Sequence, residues 1–387
     1  MWAKPRDLFD RDREWAALAR FIAGAGAGPM LAVVYGRRRH GKSVLLRQLC
    51  EVSGGFYYQA VEGTEIEQLG DLGAAYARHL RFPAAPAFAD WDQALEALLA
   101  LPGDAAPVAI VLDEFPYLTA AAPSLASRIQ RALDVRRGCG PASRLVLCGS
   151  AMTAMTSLLS GQAPLRGRAS TEVAVGPFGF RDAARFVSLD ADPQTAIKVH
   201  AVCGGVPGYY TLASDVPADG DFDGWMVRSP LSVTRPLLHE ARHLLDEESR
   251  LRDKAAYLSV LAAMADGCTT SGKIGGRLGR TASAITHTLG ALADMQLVVR
   301  RDDPTARVAP DLAHRRPAAA LLRRGDAPGL GEAGTGSRGR GLAGRAGAVA
   351  LPSPGATLRG AGAGMDRRSC RPARAWRIEP GRGDGRR

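Results

Sequence analysis

The chain has 387 residues, of which 46% are hydrophobic and 23% charged, which excludes a disordered chain or a disulfide-stapled mini-protein and leaves room for two or three domains. Apolar runs stay short of the roughly 18 to 20 residues of a membrane span, and the N-terminus carries Asp and Glu where a signal peptide would be basic and then apolar, so we expect a cytoplasmic protein without a membrane partner. The net charge of +11 equals the excess of 16 Arg over 5 acids within residues 312–387, so the rest of the chain is neutral.

The first predicted elements alternate between helix and strand. Residues 10–23 place apolar side chains on one stripe, as an amphipathic helix does. Short apolar runs then predict five strands, at 30–35, 56–59, 107–114, 144–150 and 171–175. Strands that alternate with helical stretches predict an α/β fold whose parallel sheet is covered on both faces.

Residues 36–43, between the first strand and the next helix, read G-x-x-x-x-G-K-S. Gly36 and Gly41 allow the backbone to turn its N–H groups toward phosphate oxygens. Lys42 is predicted to contact the β- and γ-phosphates of ATP, and the Ser43 hydroxyl to bind Mg²⁺. The intervening residues contribute backbone amides to the predicted site; they are Arg37, Arg38, Arg39 and His40. A Gly-Arg loop without a ligand is the alternative, but the strand before it and the helix after it favour phosphate binding.

An acidic pair, Asp113 and Glu114, ends the third predicted strand. Asp113 is the predicted metal-side carboxylate, which would hold Mg²⁺ through water, and Glu114 is the predicted general base that polarises the attacking water. An apolar run ending in Asp-Glu is, by itself, more typical of a strand that meets solvent. Its position downstream of the glycine-rich loop favours the catalytic interpretation.

The second half of the chain is predicted to be mostly helical. Residues 180–213 look helical with an interruption at 204–208, Gly-Gly-Val-Pro-Gly. The later predicted elements are helices over 251–265, 274–278 and 282–295 and a two-stranded ribbon over 298–308 that turns at 302–305. Three helices and a β-ribbon predict a winged helix-turn-helix.

These motifs resemble those of the archaeal-type P-loop ATPases of the STAND/AAA-like group, from about residue 9 to residue 301. The segments that carry the resemblance are 9–14, 36–43, 112–118, 149–150, 163–168 and 204–209. The resemblance implies a P-loop NTPase of the additional-strand type with a small helical lid and a winged helix. We therefore predict a core over 1–178, a lid over 179–248, a winged helix over 249–311 and a tail over 312–387.

The resemblance also implies roles for further residues. Ser150 occupies the position of a polar sensor that contacts the γ-phosphate or water, and Arg168 that of an arginine finger. Arg166 stands where the family more often has an aromatic residue, so either arginine remains a candidate. Arg168 can equally pair with an acid on the surface, and the glycines at 204–208 can be a simple helix break. The side chains of the loop arginines can be solvated or paired with acids.

The predicted winged helix offers a possible DNA-binding surface. Candidate groups on or just before its third helix are Arg277, Arg280, Thr281, Ser283 and His287, and candidate phosphate contacts are Lys273, Arg300 and Arg301. A recognition helix presents such groups to the major groove. Docking to a protein partner is the alternative, because many winged helices bind proteins and the local charge is moderate.

The tail from residue 312 is rich in Arg, Gly and Ala and contains a single Val. Such a composition cannot bury enough apolar surface to offset chain entropy, so disorder is expected. One hypothesis is a basic arm that binds nucleic acid. The other is an out-of-frame segment, because the codons from His314 onward, read one base later, permit a string that resembles the D-P-x-x-R-F segment of the same family.

The leading functional hypothesis is a Mg²⁺-dependent ATPase whose nucleotide state moves the lid and winged helix. A non-hydrolysing, nucleotide-gated DNA-binding regulator is the alternative, and a small-substrate kinase is a third class without a recognisable acceptor motif. An arginine finger acting on a neighbouring copy would require a homo-oligomer.

Overall fold

The computed structural model describes residues 2–101, 107–139, 142–213, 216–217, 220–240, 245, 253–301 and 311–314. Its central element is a five-stranded sheet of β1 (Met30–Tyr35), β2 (Phe56–Gln59), β3 (Ala109–Asp113), β4 (Arg144–Gly149) and β5 (Ala169–Ala174). The strand order is β2-β3-β4-β1-β5, and each neighbouring pair is parallel. The five predicted strands are confirmed, and β4 is an additional strand between β1 and β3.

Helices cover both faces of this sheet. They are α1 (Asp12–Ala23), α2 (Lys42–Ser53), α3 (Glu65–Leu80), α4 (Trp91–Leu99), α5 (Phe115–Ala121), α6 (Leu125–Val135) and α7 (Met152–Ser157). Alternate residues of β1 enter different cores: Ala32 and Val34 pack with α1 and α2, whereas Leu31 and Val33 pack on the opposite face with α3, α4 and α6. Burial on both faces is why β1, β3 and β4 are largely apolar, whereas most residues of the edge strand β5 are exposed or half-buried.

The described elements between β5 and residue 294 are all helices. They are α8 (Phe180–Phe186), α9 (Pro193–Cys203), α10 (Pro207–Ala213), α11 (Phe222–Arg228), a 3₁₀ helix (Pro236–His239), α12 (Lys254–Ala265), α13 (Ser271–Leu278) and α14 (Ala282–Asp294). The predicted interruption at 204–208 is present only over 204–206: α9 ends at Cys203, its C-cap residue Gly204 has a left-handed φ of 62°, and α10 already begins at Pro207. A single apolar core runs from Phe178 through the helices to Val298.

The ribbon after α14 differs from the prediction. Strand β6 (Val298–Arg301) pairs antiparallel with β7 (Asp311–His314), in the register Val298↔His314. The prediction of a return strand ending at residue 308 is wrong, because the pairing register places that strand at 311–314, across the predicted domain boundary at 311. The predicted turn at 302–305 and the tail from 315 onward lie outside the described residues. No helix in the described ranges is both long and apolar enough to cross a membrane.

Candidate active site

The glycine-rich loop is fixed between β1 and α2 by close backbone packing. A Cβ atom added at Gly36 would lie 2.3 Å from the Val175 carbonyl oxygen, so only glycine fits there. Gly41 has a φ of 85° and is the N-cap residue of α2. The first N–H groups of α2 therefore open into the loop, where a helix N-terminus favours an anion.

The side chain of Lys42 lies inside this loop. It is 5% exposed, and its Nζ donates to the Arg37 carbonyl oxygen at 3.2 Å. Arg11 stabilises the loop, because its guanidinium donates to the His40 carbonyl oxygen at 2.9 Å. The Nδ1 atom of His40 lies 2.8 Å from the Val175 carbonyl oxygen, so the His40 side chain anchors the loop to the end of β5.

Asp113 is fully buried at the end of β3 and contacts the loop. Ser43 Oγ donates to its Oδ2 at 2.7 Å, Tyr57 OH donates to the same oxygen at 2.6 Å, and the Glu114 N–H donates to Oδ1 at 2.9 Å. Burial raises the pKa of Asp113, but hydrogen bonds from Cys148, Tyr57 and Ser43 outweigh burial and hold that pKa below its usual value. Burial of Tyr57 itself, together with the Asp113 charge, raises the pKa of Tyr57, so its hydroxyl keeps the proton.

Glu114 and Ser150 meet at the carboxyl edge of the sheet. Ser150 Oγ lies 2.8 Å from Oε1 and 2.9 Å from Oε2 of Glu114. They are close because β3 and β4 are adjacent parallel strands, whose carboxyl ends share one edge. Glu114 itself has a left-handed φ of 53° as the N-cap residue of α5, an unusual conformation for a non-glycine residue.

Two oxygens at this edge match a magnesium site. The Ser43 hydroxyl and the Asp113 carboxylate are in contact and are hard oxygen ligands of the kind that Mg²⁺ binds. Within the described residues, no cluster of three or more His, Cys, Asp or Glu side chains is arranged to hold a metal. Mg²⁺ takes few protein ligands and completes its shell with phosphate oxygens and water, so Ser43 and Asp113 are the residues that would hold it.

The loop and the acidic edge line one cleft of about 1270 Å³. Its floor includes Lys42, Ser43, Glu114 and Ser150, and one end is formed by Phe9 and its neighbours. The aromatic residues of that end are Phe9, Phe178 and Phe186, whose ring centroids lie 5.2 to 5.4 Å apart. The cleft therefore joins the glycine-rich loop, the Glu114 carboxylate and an apolar aromatic end.

The predicted finger arginine is paired within the chain. Arg168 forms a two-pronged ion pair with Asp134 of α6, at 2.8 Å from Nη2 and 3.2 Å from Nε to Oδ2. Arg166 donates to the Gly161 carbonyl oxygen at 2.7 Å. Neither arginine is among the described residues that line the cleft.

The loop arginines differ from one another. Arg37 is 1% exposed and Arg38 is exposed, whereas Arg39 donates to both carboxylate oxygens of Glu240 at 2.8 and 3.0 Å. Gly208 donates its N–H to the Arg39 carbonyl oxygen at 3.1 Å. The glycine-rich segment at 204–208 thus touches the phosphate loop directly.

Sequence reasoning missed four contributors to the site: Arg11, Tyr57, Cys148 and Glu240. The only available signal concerned Tyr57, which belongs to the strand next to β3. The side-chain contacts of Arg11 and Glu240 depend on packing between elements that are remote in sequence.

The predicted DNA-binding residues are partly exposed. Arg280, Ser283 and His287 are exposed around the start of α14, and the Thr281 hydroxyl caps that helix by accepting from the Ala284 N–H at 3.3 Å. Arg277 instead forms an ion pair with Asp266. Lys273 and Arg277 of α13 and Arg300 of β6 are exposed as well, so the open surface includes both helices.

Comparisons with known proteins agree with this geometry. An uncharacterized protein of Methanocaldococcus jannaschii, MJECL04, is 27% identical over 277 residues, which cover 71% of this chain and 58% of that protein. The chain thus matches little more than half the length of this relative.

Solved structures share the fold. The Walker-type ATPase PABY2304 of Pyrococcus abyssi superposes with a TM-score of 0.63 at 20% identity, covering 83% of this chain and 97% of that one. The ORC2 protein of Aeropyrum pernix, in its ADPNP-ADP complexes, gives 0.51 at 16% identity, covering 83% and 94%. Residues 8–209 match the family described as an ATPase domain predominantly from Archaea, and with its phosphate-binding loop and acidic edge in place, the chain belongs to that family.

Proposed function

We propose that this protein binds ATP with Mg²⁺ in the cleft and hydrolyses it. The observation that carries the proposal is the 2.7 Å contact between Ser43 and Asp113, which joins the glycine-rich loop to the acidic edge. In this proposal the amides of residues 36–43 and the Lys42 ammonium hold the phosphates. The aromatic end, with Phe9 and Phe178, offers an apolar surface for the base.

The proposed reaction uses residues already next to each other. Ser43 and Asp113 would hold Mg²⁺, directly and through water, and the metal ion supplies charge neutralisation at the β- and γ-phosphates. Glu114 accepts a proton from the attacking water at its carboxylate. In the structure, Ser150 donates to that carboxylate. In the proposed reacting state this hydrogen bond breaks, and the Ser150 hydroxyl orients the water or a γ-phosphate oxygen.

The proposed role of Arg168 requires a second copy. An arginine finger stabilises the charge of the transferring phosphoryl group, but Arg168 already forms an ion pair with Asp134 of its own chain. Opening that ion pair at an interface between two copies would release the guanidinium. The arginine-finger proposal therefore depends on self-association.

Lys42→Ala is expected to weaken ATP binding about 100-fold, because a charge-assisted contact to phosphate contributes about 3 kcal/mol. Radiolabelled ATP binding and turnover measure the effect, and turnover should fall with occupancy. Lys198→Ala is the matched control, since its ammonium lies over the Phe222 ring, outside the cleft. Equal ATP binding by the wild type and Lys42→Ala would contradict the proposal.

A nucleotide-gated regulator is the second candidate function. The observation that favours it is the continuous core that joins Phe178 and Tyr209, near the cleft, to Ile285 and Leu292 of α14. We propose that α12, α13, α14 and the β6–β7 pair form a winged helix, and that α14 contacts DNA. A change at the phosphate loop would reach α14 through this core.

Arg280→Ala combined with His287→Ala is expected to weaken binding to duplex DNA by about 10-fold or more, because each removes a contact worth about 1 to 3 kcal/mol. Fluorescence anisotropy at several salt concentrations measures both affinity and salt slope. Arg20→Ala is the control, because Arg20 is an exposed residue of α1. An unchanged affinity would leave protein docking as the role of α14.

A further inference from the structure

Tyr57 contacts the proposed metal site although no motif includes it. Its hydroxyl donates to Oδ2 of Asp113 at 2.6 Å, the same oxygen that accepts from Ser43 at 2.7 Å. The Glu114 N–H occupies Oδ1. Together with Cys148, these donors fix the rotation of one buried carboxylate.

The sheet explains why Tyr57 reaches this position. Strand β2 lies beside β3 in parallel, with Tyr57 opposite Val111 and Gln59 opposite Asp113. Tyr57 packs with the core under α2, on the same face as Val111, and its long side chain extends toward the carboxyl edge. Tyr58 enters the opposite core, where its hydroxyl bonds to Gln68 Oε1 at 2.9 Å.

Tyr57 is itself held in place. The Arg47 guanidinium lies 4.7 Å from the centroid of the Tyr57 ring, and Arg47 Nη2 donates to Gln59 Oε1 at 2.9 Å. A cation over an aromatic face is attractive, so the phenol is supported from the solvent side. Arg47, the Tyr57 ring and the Asp113 carboxylate therefore form a continuous series of contacts from the surface to the proposed metal site.

We propose that Tyr57 is a positioning residue that orients Asp113 for Mg²⁺. This inference rests on the proposed function, since it assigns Tyr57 to the metal side of the same site. Groups that hold a metal ligand in place typically change metal affinity 10- to 100-fold when removed. Tyr57 acts through Asp113, and its effect should appear only when Mg²⁺ is present.

The test compares Tyr57→Phe with Tyr58→Phe, two neighbouring changes that each remove one hydroxyl. Binding of ATP is measured by equilibrium dialysis with radiolabelled ATP, in EDTA and then across a Mg²⁺ titration, without any turnover readout. For Tyr57→Phe we expect the Mg²⁺ concentration at half-maximal effect to rise about 10-fold, with ATP affinity in EDTA unchanged. Tyr58→Phe should match the wild type in both conditions.

The outcomes separate the inference from the function beneath it. Retained binding in EDTA shows that Tyr57→Phe is folded, so a shift confined to Mg²⁺ supports the positioning role. A Tyr57→Phe titration equal to the wild type, or equal shifts in both variants, overturns it while ATP binding stands. A wild-type protein whose ATP binding does not respond to Mg²⁺ overturns the proposed metal site and, with it, this inference.

Discussion

Glu114→Gln is expected to lower the rate of ATP turnover by about 10²- to 10⁴-fold, the usual contribution of a general base, while ATP affinity stays close to that of the wild type. The amide has the same shape as the carboxylate and still offers an oxygen to Ser150, but it cannot take a proton from water. Single-turnover hydrolysis separates this chemical step from binding. A binding measurement with ADP on the same preparation verifies that the cleft is intact.

Glu62→Gln provides the matched control for this experiment. Glu62 lines the same cleft and is exposed, so the two variants change the charge of the cleft equally. An equal loss of turnover in both would indicate that net charge, and not proton transfer at Glu114, controls the reaction. Full turnover by Glu114→Gln would remove Glu114 from the proposed mechanism.

The parts of the site that were predictable from sequence lie on single elements of the parallel sheet. Apolar runs predict β1, β3 and β4, and the loop and Asp-Glu motifs assign Ser43 and Asp113 to one phosphate site, whereas the role of Ser150 is implied only by the family resemblance. Burial of every residue of β3 and β4 made these runs unambiguous. Local pattern and sheet geometry are therefore sufficient for the phosphate loop and the acidic edge.

Contacts between elements were not predictable in the same way. The residues Arg39 and Glu240 are 201 positions apart, and neither charge belongs to a periodic pattern. The sequence does not indicate that Asp134 pairs with Arg168, since many other arginines of the chain are equally plausible partners. The return strand of the ribbon was misplaced because its position depends on register with β6, which apolar spacing does not define.

The second large effect, on the free energy of unfolding, is expected from the ion pair between Arg39 and Glu240. Arg39→Ala should lower the free energy of unfolding by about 3 kcal/mol, because removing one partner leaves a buried charge uncompensated. Glu240 is 1% exposed and Arg39 is 23% exposed. Because Arg39 is partly screened by solvent, the expected loss of stability lies at the lower end of the range for breaking a buried ion pair. The φ of Arg39 is 67°, and alanine would bear the same backbone cost, so the loss reports the side chain.

Urea unfolding followed by circular dichroism measures this loss, with Arg13→Ala as the control. Arg13 is an exposed residue of α1, and its replacement should change stability by less than about 0.5 kcal/mol. Adding Glu240→Gln to Arg39→Ala removes the orphaned charge, so the double variant should be more stable than Arg39→Ala alone. A double variant that is less stable would show that Glu240 has another stabilising partner and that Arg39 does not link the phosphate loop to the helices beyond it.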